Sequence, residues 1–154
     1  MGVLHADRRP TTDAMYIYDT KTSTAGNPAL TKVTLKGFSG IQGDGTVNLH
    51  GISGQKVPGT SVDSPTYRFY INNHRPSLQQ DGSLADNTIT GANSTVEIFE
   101  SKLGSDTWNH IRTYADPLIR TPNRVAPVSA DSFLFTNDHT TKAGSTVSNG
   151  RKVA

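Results

Sequence analysis

The chain has 154 residues, a formal net charge of +2 and a pI of about 9.0; its basic residues form no Lys/Arg block, so the footprint of a nucleic-acid binder is missing. Leu, Ile, Val and Phe make up about a fifth of the residues, near the lower edge at which a chain buries enough surface to fold, while the low net charge argues against disorder through self-repulsion. With no cysteine, disulfides and thiolate metal sites are excluded within the chain.

The first twenty residues hold no apolar run of signal-peptide length. Nothing approaches the roughly 18 apolar residues of a transmembrane helix. No membrane span is therefore expected, and the compartment is left open. Helical periodicity is almost absent; short β-rich runs recur instead, each bounded by Gly, Pro, Asn, Asp or Ser. In chain order they are Ala14–Asp19, Lys32–Gly37, Val47–Ser53, Tyr67–Asn72, Thr95–Glu100, Trp108–Tyr114, Arg124–Ser129 and Ser132–Asn137. In the fifth, Val96, Ile98 and Phe99 read as a buried face with an aromatic neighbour. The eighth places Phe133 and Phe135 on one face and Leu134 on the other. Gly54–Ser64 and Arg75–Asn93 read as loops. The polar stretch 140–154 reads as a frayed tail. The chain is thus expected to be all-β and without helices between its eight strands. Such closely spaced strands suit a sandwich, a barrel or a propeller, and eight make about two four-stranded blades.

Five histidines, His5, His50, His74, His110 and His139, are scattered, with no HExxH or other close metal spacing. For each, an exposed or hydrogen-bonded structural imidazole is the plain reading. Context singles out two. His50 ends an apolar run and meets Gly51, which permits an unusual turn or a close backbone approach. His74 follows Tyr70-Ile71-Asn72-Asn73. Two histidines at strand ends could relay a proton, because imidazole titrates near neutrality. Asn123 and Asp138 carry side-chain oxygens that serve either turn chemistry or ligation of a hard cation. No GxSxG elbow, Walker loop or GxGxxG motif is present. Asn93-Ser94-Thr95 matches the N-glycosylation sequon, making Asn93 a glycosylation candidate.

Four motifs then fall in order: Leu49–Ser53 (LHGIS), Asn73-His74, Ser94–Phe99 (STVEIF) and Asn123–His139 (NRVAPVSADSFLFTNDH). Together they resemble successive segments of the paraoxonase/arylesterase family, over most of the span from Met15 to His139. The resemblance implies part of a six-bladed β-propeller with calcium ions in its central tunnel. It implies hydrolysis of lactones and aryl esters, and of some organophosphates. His50 then matches the general base that activates water, and His74 the histidine that assists it. Asn123 matches a side-chain ligand of the catalytic calcium. Ile52 matches a residue whose backbone carbonyl ligates the structural calcium, and Asp138 supports the site.

The chain also departs from the family. Arg124 stands where the family commonly has an Asp ligand, and an arginine cannot ligate a cation. The family's acidic ligands that precede and follow this region have no counterpart near Met1 or after His139. The expectation is therefore a propeller-like unit over residues 1–139, with a small-molecule ester or lactone substrate. The chain by itself is expected to bind calcium poorly, to be inactive, and to associate through open sheet edges. A non-catalytic propeller fragment with a binding or structural role is the alternative. A gluconolactonase-like or strictosidine-synthase-like propeller is a third reading.

Overall fold

A computed structural model describes residues 13–40, 45 and 47–138, together with the backbone of residues 147–148 and 151–152. The fold is predominantly β, as expected, and the described residues are arranged in several sheets, none of them closed. Every β-rich run singled out above overlaps a strand. These are β1 (Tyr16–Tyr18), β2 (Leu30–Lys32), β3 (Thr34–Lys36), β4 (Leu49–Lys56), β5 (Thr66–Pro76), β6 (Ala92–Lys102), β7 (Thr107–Tyr114), β8 (Pro122–Ser129) and β9 (Ser132–Asn137). The second run breaks in two at Val33, whose side chain is buried. One four-residue helix, α1 (Asn87–Thr90), lies in a segment expected to be a loop. Too short for periodicity to register, it is started by Asp86, whose side chain accepts from the Thr88 backbone N–H at 2.9 Å. Most of the 140–154 segment lies outside the described residues. Within it, β10 (Val147–Ser148) and β11 (Arg151–Lys152) pair antiparallel.

The centre is a five-stranded sheet in the order β3-β7-β6-β5-β4. Four of its strands, β4 to β7, form an antiparallel meander, and β3 joins its edge in parallel with β7. The turn from β6 to β7 closes with the Ser105 N–H donating to the Lys102 carbonyl at 3.0 Å. Its third residue is Gly104, at φ 84°, a conformation that suits glycine.

Both faces of this sheet are covered. On one, Tyr70, Val96 and Ile98 meet Ile119, Val125, Phe133 and Phe135 from the β7–β8 connection and the β8–β9 hairpin. On the other, Ile71, Phe99 and Trp108 meet Val33, Leu35, Phe38, Met15 and Ile17. Phe69 stacks on Trp108 at 3.8 Å between centroids. The expected single buried face of TVEIFE is thus two. Thr95, Val96, Glu97, Ile98 and Phe99 are all buried, because β6 is the middle strand of a covered sheet. Burying a side chain such as Phe99 contributes about 1.5–3 kcal/mol. Phe133 and Phe135 do face inward while Leu134 is 67% exposed.

The hairpin is latched at its tip. Arg68 Nη1 donates to the Ala130 carbonyl, and Gln55 Nε2 donates to the Ser129 carbonyl at 3.0 Å. Glu100 holds the guanidinium through Arg68 Nη2 at 2.7 Å and raises its pKa, chiefly by that hydrogen bond. At the other end Asn137 ties the β7–β8 connection. Its Oδ1 accepts from the backbone N–H groups of Arg120 and Thr121 at 3.0 Å each.

Candidate functional site

The site forms where β4, β5 and β8 meet. His50 does not end its strand but stands second in β4, and His74 lies inside β5 rather than at its end. Polar Gln55 and Lys56 extend β4 because an edge strand can leave them in water. Asn72 and Asn73 extend β5 because neighbouring strands cover them.

The register of β4 on β5 shifts from Leu49↔Asn73 to Ile52↔Ile71, so His50 and Gly51 together stand against Asn72. Such a bulge re-aims a side chain out of the regular alternation. Here it brings the His50 ring to 5.1 Å from the His74 ring between centroids, edge to face at 64°. His50 Nε2 lies 2.8 Å from Asn123 Oδ1 on β8. Gly51 permits this approach. A Cβ there would collide with the Asn123 backbone carbonyl and lie 2.8 Å from Asn72 Nδ2.

The hydrogen bonds assign the tautomers. Asn123 Oδ1 can only accept, so His50 carries its proton on Nε2 and Nδ1 is its basic nitrogen. Ser94 Oγ spends its proton on the Arg120 carbonyl at 2.9 Å. It must therefore accept from His74 Nδ1, 3.0 Å away, which makes Nε2 the basic nitrogen of His74. Beneath the pair, Asn72 is fully buried with neither Nδ2 nor Oδ1 hydrogen-bonded. A cavity of about 240 Å³, lined by Met15, Ile17, Leu49 and Trp108 among others, reaches His50 and Gly51.

The remaining expected site residues are not drawn in. Ile52 sits in the β4–β5 ladder opposite Ile71, with its side chain 55% exposed. Asp138 is exposed, and its backbone N–H donates to the Thr121 carbonyl at 2.9 Å. Arg124 is exposed beside Asn123. Asn93 is exposed on β6, opposite Arg75. His5 and His139 lie outside the described residues.

A calcium ion takes about six to eight oxygen ligands, carboxylates prominent among them. Among the described residues no three His, Asp or Glu side chains gather to hold a metal. At the histidine pair the side-chain oxygens are amide oxygens, Asn123 Oδ1, which accepts from His50, and the buried Asn72 Oδ1, with no carboxylate beside them. These residues do not fit a calcium cage.

A second polar cluster escaped the sequence reading. Glu97, buried in β6, accepts from Thr95 Oγ1 and Thr113 Oγ1 at 2.5 Å each and lies 3.1 Å from His110 Nε2. Phe38 and Phe99 pack their rings against His110, each at 5.1 Å. The one signal for it was a carboxylate in the middle of an apolar strand. Both Thr113 and Glu97 meet the same imidazole nitrogen, so the group is no Thr-His-Glu relay, which needs both ring nitrogens.

In comparison with known proteins, no protein-family model and no curated sequence matches the chain.

Proposed function

We propose that the chain carries the histidine half of a hydrolytic site of the paraoxonase/arylesterase type, acting on lactones and aryl esters, within part of a six-bladed propeller. The observation that carries this reading is the juxtaposition of His50, His74 and Asn123. They come from three strands and lie far apart in the chain, yet are the residues whose meeting the resemblance requires. The antiparallel meander of β4 to β7 also has the strand order of a propeller blade.

In this reading His50 Nδ1 takes a proton from the attacking water. His74, edge to face with it, receives or returns that proton through its Nε2. Asn123 and Ser94 orient the two rings from behind. The family's calcium would polarise the substrate carbonyl, but its oxygens would have to come largely from outside the described residues.

The test is hydrolysis of phenyl acetate and of a γ-lactone, with calcium titrated. The chain by itself should show no calcium-dependent turnover. A longer chain in which acidic ligands flank this segment should show it, and His50→Gln should abolish it. Turnover indifferent to His50 would refute the hydrolase reading. It would favour a non-catalytic propeller element, the reading that exposed Arg124 beside Asn123 supports.

A further inference from the structure

The two strands that flank the cavity beside His50 are tied to each other at Asp13. Its N–H donates to the Val47 carbonyl at 2.9 Å, and its Oδ2 accepts from the Leu49 N–H at 2.7 Å. Beyond that tie β1 pairs with β2 and β4 with β5, and both β1 and β4 line the cavity of about 240 Å³. We infer that this cavity is a binding site for one small neutral aromatic molecule, a single ring with a short substituent.

Three observations carry this. The first is size. An apolar cavity of about 150 Å³ takes benzene, so this one has room for a ring and a few further atoms. The second is the wall. Val33, Ile71 and Trp108 are buried in the lining, while Tyr16 and Ile52, both more than half exposed, stand at the mouth. Exposed apolar side chains above a buried apolar floor are the surface that a ligand removes from water. Phe69, stacked on the Trp108 indole at 3.8 Å, fixes that ring as a flat wall on which an aromatic ligand packs offset or edge-on. The third is charge. No Lys, Arg, Asp or Glu is among the lining residues. A charged ligand would lose its hydration there without gaining an ionic partner, so the occupant is neutral. His50 is the one imidazole in the lining, which sets the ligand beside the histidine pair.

The inference does not depend on hydrolysis, so it is measured without turnover. Trp108 is the only tryptophan in the chain, and its emission therefore reports on the cavity. The chain, diluted until light scattering shows a monomer, is titrated at about pH 8, above the ordinary imidazole range. The probes are benzyl alcohol and, separately, benzoate. Benzyl alcohol should change the Trp108 emission saturably and, with ¹⁵N-labelled histidines, move the His50 ring resonances more than those of His110. Benzoate should bind about tenfold or more weakly. Leu49→Phe, which fills the cavity, should weaken benzyl alcohol binding by about tenfold or more. Leu134→Ala, on the exposed face of β9, should not. Three results would each overturn the inference: no saturable change up to the solubility of the alcohol, benzoate bound as tightly as the alcohol, or a Trp108 signal that follows protein concentration and ignores the alcohol. The last would give the cavity to a second copy of the chain. The wild-type titrations decide the matter even if a variant fails to fold.

Discussion

Gly51 and Asn72 show how tightly the site is built at the level of single residues. Gly51 lets β4 touch β8 where a methyl group would strike the Asn123 carbonyl. Gly51→Ala should cost about 1–3 kcal/mol, as forced overpacking does. It should also break the His50–Asn123 bond, which the His50 tautomer, followed by ¹⁵N NMR, reports. Asn72 is the opposite case. Its amide is buried without partners, and an unsatisfied buried polar group costs about 1–3 kcal/mol. Asn72→Leu, close to it in size, should therefore raise the melting temperature; a fall would mean that the amide is hydrogen-bonded in solution. His50 and His74 were legible in the sequence through motif order. Ser94 and Asn72 were not, although the period of two in a strand already places Asn72 on the face of His74. What hid them is that a polar side chain in a strand is read as exposed until its cover is known, and the cover here comes from β8.

Elements were legible where alternation was clean. The expected Ser132–Asn137 is β9 to the residue, because Phe133 and Phe135 alternate with Leu134 and Thr136. Where pairing partners rather than composition set the length, the reading fell short. Thr66–Pro76 runs eleven residues because β6 pairs with it along its whole length. Helix α1 depends on its cap. Hydrogen bonds from the Thr88 hydroxyl, and then from its backbone N–H, hold the Asp86 carboxyl below its ordinary value of 3.8. A depressed acid contributes above its unfolded pKa and loses that contribution as pH falls through its folded value. Amide exchange at Thr88 should accordingly show cap protection unchanged from pH 8 to about pH 5 and lost only below about pH 3.9. Loss of protection near neutrality would assign the cap to another group.

Among the described residues the molecule is a covered sheet with β3 and β4 as its edge strands. β4 is an edge strand of the central sheet and carries Ile52 at 55% exposure. An exposed apolar edge of this kind templates pairing with another chain. Light scattering should show self-association rising with concentration, and Ile52→Lys should suppress it without lowering the melting temperature. Equal scattering from both proteins would place the association elsewhere. The all-β class could be anticipated from turn residues and short apolar runs. The parallel strand β3 could not, because nothing local in Thr34–Lys36 names Thr107–Asn109 as its partner.

That parallel pairing also sets an order of events. The strands β4 to β7 close through successive hairpins, each joining neighbours in the chain. β3 meets β7 only across some seventy intervening residues, a closure that is entropically slow and is completed after local contacts have formed. The meander is thus expected to fold early, and the β1–β3 segment to join late and open first. In native-state exchange, amides of β3 should open at lower free energy than those of β5 and β6. Since Met15 and Ile17 wall the cavity beside His50, each opening of that segment should expose His50 to solvent from the cavity side.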